Sequence, residues 1–225
     1  MLDYYDRLTD RLRAAGDWIA PLGLRLLLAH AFLDAGLNKL SAGTQAPAWF
    51  ANQDFVVPFG LLSANMNWFM VTWGEILAGI GIALGLFTRF FALSLIVITV
   101  VAIAAVHWPS SWDSLGQLWE GYSVSRVVED GEFRGNYRIP LLLLAMLLPL
   151  ALMGGGKLSL DQLLLKLTDR SDLIHGRAED GLAIGLGLML LALMSVYLIT
   201  SWAIGLFLLA AFLIAGFLRN LPRSG

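Results

Sequence analysis

Six apolar runs constrain the fold of this chain more than any other feature. They occupy about residues 18–40, 68–87, 90–107, 139–153, 181–198 and 203–218. A hydrocarbon core of roughly 30 Å is crossed by about 20 helical residues, and shorter runs are completed by interfacial flanks. The pattern therefore predicts an all-α, polytopic transmembrane helical bundle.

The composition supports this class and argues against others. Of the 225 residues, 58% are hydrophobic and 14% are charged, whereas roughly a quarter are charged in ordinary soluble domains. The net charge of −2 indicates that the chain has no basic surface to bind the phosphates of a nucleic acid, so no nucleic-acid partner is expected. The chain has no Cys, which excludes disulfides, thiolate metal sites and Cys nucleophiles. Any redox role would therefore need a borrowed cofactor.

The distribution of Lys and Arg between alternate sides of the membrane predicts the topology. Ten basic residues fall on the side that holds both chain ends, and four fall on the other side. The ten are Arg7, Arg11, Arg13, Arg89, Lys157, Lys166, Arg170, Arg177, Arg219 and Arg223, and the four are Lys39, Arg126, Arg134 and Arg138. Both termini are therefore predicted to be cytoplasmic.

Four segments are predicted along the chain. Residues 1–17 carry apolar side chains at helical spacing among charged ones, which indicates an amphipathic surface helix and not a signal peptide. Residues 18–168 form a four-helix transmembrane domain, and residues 169–180 form a cytoplasmic linker. Residues 181–218 form a transmembrane hairpin, because one helix of that length would measure about 57 Å.

The stretch HAFLDAGLNK places polar groups inside the first span. His30, Asp34 and Asn38 follow one another at intervals of four residues, so they form a stripe on one helix face. Lys39 comes next, near the outer end of the span. Because a charged group in hydrocarbon is costly, we expect these side chains to face the bundle interior or water.

Depth estimates bring a second carboxylate to the same level. At a rise of about 1.5 Å per residue, Asp34 lies about 7 Å below Lys39, and Glu75 lies about 10 Å below the start of the second span. Thr72 is one turn from Glu75, and His107 ends the third span on the same side. The sequence therefore predicts a polar cavity in the outer half of the bundle.

The residues alone leave the contents of that cavity open between a proton path, a quinone head group and a metal ion. The structural alternative is a hydrogen-bonded network that only fixes helix register. His30 and His107 are the weak metal candidates, and haem ligation by this pair is disfavoured because roughly 15 Å would separate them. Arg25, deeper in the first span, either snorkels to the cytoplasmic face or pairs with a carboxylate.

Three stretches resemble a known family. The first span reads LGLRLLLAHAFLDAGLNKL, the second reads WGEILAGIGIALGLFTR, and GGGKLSLDQ follows the fourth. An Arg with G-x-x-K, a G-E-x-x-x-G followed by L-G-L-x-T-R, and a G-x-G-x-x-S-x-D are similar to the motifs of the DoxX family of bacterial four-helix membrane proteins. The matching positions are Arg25, Gly36, Lys39, Gly74, Glu75, Gly79, Thr88, Arg89, Ser159 and Asp161.

The resemblance covers about residues 18–165 and implies a bacterial inner-membrane protein that contacts the lipid bilayer. DoxX is named for the small subunit of a thiosulfate:quinone oxidoreductase, and other members look like partners of redox or detoxification enzymes. The phrases DWIAPLGLRLLLAHAFLDAGLNKL, WFAN and VHW are most similar to a subgroup whose members accompany enzymes that modify copper-binding peptides. Whether the chain forms a homo-oligomer stays open.

Two functional hypotheses follow. The first is a membrane component of a redox or stress-response system that binds a quinone-like or small polar ligand. In it Lys39 neutralises charge, Glu75 and Asp34 accept protons, and His30, Arg25, Asn38 and Thr72 are further ligand candidates. The alternative is a non-enzymatic accessory or transport protein for a modified copper-binding peptide, in which the outer surface docks the peptide. No catalytic residue is assigned in either.

Overall fold

The computed structural model describes residues 2–109, 111–124, 127–129, 132–134, 136–169 and 180–219. The predicted all-α class is confirmed. The helices are α1 (Leu2–Ser41), α2 (Ala48–Ala51), α3 (Ala64–Leu84), α4 (Thr88–Ala102), α5 (Leu115–Val124), α6 (Arg138–Met153), α7 (Leu160–Leu167), α8 (Asp180–Ser195) and α9 (Thr200–Arg219). A 3-10 turn (Phe59–Leu61) precedes α3, and a π-helix (Ile103–His107) continues α4.

One short β-hairpin interrupts the helical pattern. Its strands, β1 (Val127–Glu129) and β2 (Glu132–Arg134), pair antiparallel, with Val128 opposite Phe133. The sequence pattern did not predict it, because three-residue strands are too short to produce a readable alternation of apolar and polar residues.

Four helices in the described part of the chain are long and apolar enough to cross a membrane. They are Tyr4–Ser41, Ala64–Leu84, Thr88–His107 and Thr200–Arg219. Arg138–Met153 and Gly181–Ser195 are apolar but shorter. Each of these six helices overlaps one of the six predicted runs, and the chain is a multi-pass membrane protein.

Helix α1 differs from its prediction at the N-terminal end. The expected surface helix and the first span form one continuous helix of 40 residues that passes through Pro21. The only strong helix-weakening residue before Pro21 is Gly16, and one Gly costs a helix about 1 kcal/mol relative to Ala. No local signal therefore separates the two segments.

The chain divides into two compact units. Unit 1 consists of Met1–Ile98 and Ile139–Ser171, and unit 2 consists of Thr99–Arg138 and Asp172–Gly225. Most of the predicted linker, 169–180, lies outside the described residues, so its boundaries stay predictions.

Unit 1 is built on a close contact between α1 and α3. A Cβ added to Gly36 would lie 2.7 Å from Cγ1 of Ile76, and one added to Gly79 would lie 2.8 Å from Cγ of Leu33. The two contacts pair rising residue numbers on α1 with falling numbers on α3, so the helices are antiparallel. Small residues at both crossing points let the backbones approach closely.

The C-terminal part of unit 2 is the predicted two-helix hairpin. Helices α8 and α9 pack against each other, and Ser195 accepts hydrogen bonds at its carbonyl from the backbone N–H groups of Leu198 and Ile199 in the turn between them. Gly185 permits the close approach, since its Cβ would lie 2.8 Å from Cγ1 of Ile214. The prediction of two helices in place of one long helix is confirmed.

Candidate functional site

An ion pair between a buried carboxylate and a half-buried ammonium joins the first two long helices of unit 1. Nζ of Lys39 on α1 lies 2.7 Å from Oε2 and 3.0 Å from Oε1 of Glu75 on α3. The Glu75 side chain is 8% exposed and the Lys39 side chain is 22% exposed. The ammonium therefore donates to both carboxylate oxygens in a largely water-excluded place, where charge-assisted hydrogen bonds are strong.

Glycine in the G-x-x-K motif brings the two charges together. A Cβ on Gly36 would lie 3.1 Å from both the backbone N of Ile76 and the carbonyl O of Thr72. Only a residue without a side chain lets α1 lie this close to the turn that carries Glu75. Lys39, one turn further along α1, then reaches back toward Glu75, and its Nζ is 3.5 Å from the carbonyl of Ala35.

An aromatic cluster covers this end of the helix pair. Trp68, at the start of α3, is 2% exposed and donates from Nε1 to the carbonyl of Gly43 at 3.0 Å. The Phe50 ring lies 5.0 Å from the Trp68 ring, and the Trp49 ring lies 6.1 Å from it, both edge-on. The segment 42–63 is thereby fixed over the end of α1 and α3. We call Lys39, Glu75 and residues 42–63 the ion-pair end of unit 1.

The structure separates the predicted polar cluster into two parts. His30, Asp34 and Asn38 form the expected stripe, and Asn38 donates from Nδ2 to Oδ2 of Asp34 at 3.2 Å. All three are exposed on the surface of α1, whereas Glu75 is buried. The expectation that Asp34 and Glu75 share one interior cavity is therefore not met, because their helix faces differ even though they lie at similar depth.

Thr72 lies one turn from Glu75, as the sequence indicates. It is 3% exposed, and its hydroxyl has no hydrogen-bond partner among the described residues. The buried hydroxyl is therefore available to a small ligand that reaches the ion pair.

Arg25 lies in a different place from the other predicted site residues. It is 2% exposed, and its Nη2 donates to the carbonyl of Leu158 at 2.7 Å. Its Nε and Nη1 have no hydrogen-bond partner among the described residues. Arg25 therefore binds a backbone carbonyl between α6 and α7, and it forms no ion pair with a carboxylate of the described residues.

The remaining family motifs gather around Arg25. Asp161 accepts hydrogen bonds from the backbone N–H groups of Phe87 at 2.7 Å and Thr88 at 2.9 Å, and so caps the start of α4 from another part of the chain. Its own N–H donates to the carbonyl of Gly85 at 2.8 Å. Gly85 has φ +65°, and a Cβ there would lie 2.5 Å from Cβ of Ser159. Left-handed backbone and close approach both require glycine here.

Arg89 completes this arrangement. Its Nε and Nη2 lie 3.4 Å from the carbonyl of Leu152, and Nη2 lies 3.4 Å from that of Met153. These carbonyls belong to the last turn of α6, which otherwise leaves them unpaired. We call Arg25, residues 85–89 and residues 154–161 the motif end of unit 1. The sequence identified these residues singly, but the order of the motifs gave no sign that they meet.

His107 belongs to unit 2, at the end of the π-helix. Its Nδ1 is buried and has no hydrogen-bond partner among the described residues. The adjacent Trp108 ring lies 5.0 Å from that of Tyr137, whose hydroxyl donates to the carbonyl of Leu118. Burial raises the pKa of the Tyr137 phenol, so it stays protonated as a donor. Across the described residues, no group of three or more His, Asp or Glu side chains is arranged to hold a metal ion.

Comparison with known proteins covers the motif positions from Arg25 to Arg89. A sequence model of the DoxX family matches residues 20–108. An uncharacterized protein of Haemophilus influenzae is 34% identical to this chain over 158 residues, which make up 69% of this chain and 90% of that protein. No solved structure matches the chain significantly. The segment matched by the family model contains Arg25, Lys39 and Glu75.

Proposed function

This chain belongs to the DoxX family, and from that membership we propose that it is the membrane component of a redox or stress-response system, which binds a quinone-like or other small polar ligand at the Lys39–Glu75 pair. The observation that carries the proposal is a buried carboxylate bonded to a half-buried ammonium within a pair of apolar helices long enough to span a membrane. In a membrane protein, ionisable groups at such positions are functional candidates by default.

The pair has the chemistry that a quinone head group needs. A Lys ammonium carries three donors, so Lys39 can donate to a quinone carbonyl while it keeps one bond to Glu75. Reduction of a quinone to a quinol takes two electrons and two protons. Glu75 and Lys39 can hold and deliver protons at this position, and the electrons would come from a partner redox protein.

A purely structural role explains the pair less well. The desolvation cost of a buried ion pair often exceeds its electrostatic gain, and apolar residues of similar volume hold helices together at least as well. Gly36 and Gly79 already provide the close packing of α1 against α3. The charges are therefore better explained by a proton or a ligand than by packing.

Quinone binding tests the proposal. The full-length protein, purified in mild detergent, is extracted with solvent and assayed for bound quinone, and a short-chain quinone is then titrated while thermal unfolding is followed. Wild type should retain quinone and gain stability with added quinone, since a ligand that binds only the folded state raises the unfolding temperature. Glu75→Gln and Lys39→Met should lose both effects.

Asp34→Asn is the matched control, because it removes a carboxylate at similar depth from the exposed face of α1. It should bind quinone like wild type. Equal loss of binding in Asp34→Asn and Glu75→Gln, or unaltered binding in Glu75→Gln, would refute the assignment of the ligand to the ion pair.

The exposed stripe of His30, Asp34 and Asn38 favours a second candidate function. Polar groups at membrane depth are rarely left facing lipid, so a partner that supplies polar contacts would cover them. An accessory or transport role for a copper-binding peptide is consistent with imidazole and carboxylate groups on one open face. The test is capture of a copper-loaded peptide by reconstituted protein: His30→Ala should abolish capture, and His107→Ala in unit 2 should leave it unchanged.

A further inference from the structure

Helix α7 presents an apolar face that the other described residues leave uncovered. Ser159 caps the helix by accepting the N–H of Gln162 at 3.2 Å. The exposed apolar residues lie at spacings of three and four, on one side of the helix. They are Leu160, Leu163, Leu164 and Leu167. A short amphipathic helix of this kind lies at the boundary between head groups and acyl chains.

A cavity of about 330 Å³ opens beside α7 in unit 1. Its lining combines apolar, cationic and neutral polar side chains, among them Leu84, Leu158, Leu163, Lys157, Lys166 and Ser159. The volume is within the range of small-ligand sites, which begins at roughly 300 Å³. An occupant of this cavity must offer both an anionic group and apolar surface.

The two lysines give the cavity its charge. Nζ of Lys157 lies 2.9 Å from Oδ2 of Asp17 and 5.9 Å from the centre of the Trp18 ring. Lys166 forms no ion pair with any described residue and is exposed. The nearby Asp161 carboxylate is occupied by two backbone N–H groups of residues 87 and 88. Among the described residues, nothing therefore neutralises the ammonium group of Lys166, which leaves it open to an anion.

The wall of the cavity is fixed from behind. Arg25 holds the carbonyl of Leu158 at 2.7 Å, and the Ser159 hydroxyl donates to the carbonyl of Gly156 at 2.6 Å. Since both bonds are formed within unit 1 itself, a ligand would meet an ordered wall and lose little free energy in ordering it.

We propose that this cavity binds the head group of an anionic phospholipid, with the phosphate at Lys157 and Lys166 and the acyl chains along the leucine face of α7. Two features favour a lipid over free phosphate: the uncovered leucines and the apolar part of the lining. Basic pockets at the cytoplasmic ends of helices are typical sites of anionic lipid head groups. The excess of Lys and Arg predicts that the motif end of unit 1 is on the cytoplasmic side.

Thermal unfolding of the full-length protein in zwitterionic micelles tests the proposal. Soluble short-chain phosphatidylglycerol is titrated, and the apparent affinity is read from the rise in midpoint. Phosphatidylcholine of the same chain length and inorganic phosphate serve as parallel probes. Wild type should respond to phosphatidylglycerol at concentrations where the other two have no effect. Lys166→Gln should weaken that response about fivefold, and Lys157→Gln/Lys166→Gln further, since each basic residue contributes a comparable factor near an anionic surface.

Arg219→Gln is the control, because it removes one positive charge from an exposed residue at the end of α9. It should respond like wild type. An equal response to inorganic phosphate would overturn the lipid assignment, and equal weakening in Arg219→Gln would reduce it to general charge attraction. Should Lys166→Gln not fold, native mass spectrometry of wild type decides: preferential retention of phosphatidylglycerol over phosphatidylcholine supports the proposal, and equal retention contradicts it.

Discussion

Three charged side chains at the motif end of unit 1 bind different partners from the two charged side chains at its ion-pair end. At the motif end, Arg25, Arg89 and Asp161 each bond to backbone groups, namely carbonyls for the two arginines and N–H groups for the aspartate. At the ion-pair end, Lys39 and Glu75 bond mainly to each other.

This difference distinguishes charged residues that the fold requires from charged residues that are available for chemistry. Backbone groups left open at helix ends need partners in any membrane fold, so side chains that satisfy them are explained by the fold alone. Two charged side chains that bond to each other satisfy no backbone group. Two apolar side chains at the same positions would leave no polar group without a partner, so the fold alone does not require the charges. Arg25, Arg89 and Asp161 therefore have a structural function at the motif end, whereas the candidate proton and quinone chemistry lies at the ion-pair end.

The substitution with the largest expected effect tests whether the ion pair is dispensable for folding. Lys39→Met should lower the free energy of unfolding by about 3–5 kcal/mol, because Glu75 loses its buried partner. Lys39→Met/Glu75→Leu should recover most of that loss while quinone binding stays absent. Equilibrium unfolding in mixed micelles measures the first quantity, and solvent extraction measures the second. Failure of the double variant to regain stability would mean that the pair itself holds α1 and α3 together.

The second-largest effect on stability is expected from a substitution at the motif end that changes the allowed backbone conformation. Gly85→Ala should cost roughly 2–4 kcal/mol of unfolding free energy, from the left-handed backbone and the clash with Ser159 together. Gly23→Ala is the control, because nothing lies within 4 Å of a Cβ at that position on α1. It should be neutral or slightly stabilising. If Gly85→Ala left the free energy of unfolding unchanged, the backbone of the motif end would be able to relax around the added methyl group.

A smaller effect is expected for the cap of α4. Asp161→Asn keeps one acceptor oxygen and turns an amide toward a backbone N–H, so it should lower the unfolding free energy by roughly 1–2 kcal/mol. Quinone binding at the opposite end should persist in the folded fraction. Loss of binding without loss of stability would contradict the division of roles between the two ends.

The smallest effect concerns the exposed stripe. Asp34→Asn should change the unfolding free energy of the isolated chain by no more than about 0.5 kcal/mol, as for most exposed positions. Its Asn38 neighbour can still bond to the new amide oxygen. Thermal unfolding in detergent measures the change, and a loss several times larger would show that the stripe is buried in the purified protein.

Much of the fold followed from periodicity and length. The six apolar runs overlap the six long or apolar helices. The C-terminal hairpin was predicted because one helix would be too long for a single crossing, and α8 and α9 do pack against each other. The short hairpin of β1 and β2 and the continuity of α1 were missed. Neither is marked by a local composition signal that is strong enough to read.

Sequence also placed Asp34 and Glu75 at similar depth, because depth depends only on the helical rise and the starting residue. It could not decide the direction in which each side chain points around its helix. That direction depends on which face of α1 meets α3. The contact is set by Gly36 and Gly79 and by the side chains that pack against them, Ile76 and Leu33. Tertiary packing therefore paired Glu75 with Lys39 and left Asp34 exposed.

By itself, the sequence determined the membrane class, the number of apolar helices and the residues of the family motifs, since these depend on composition, spacing and order. Only the tertiary structure decided that Arg25, Gly85, Ser159 and Asp161 meet at one end while Lys39 and Glu75 meet at the other. The physical reason is that a side chain far along the chain becomes a partner only after helices pack. Packing in turn depends on close fit at a few glycines, and no local pattern records which residues of other helices those glycines contact.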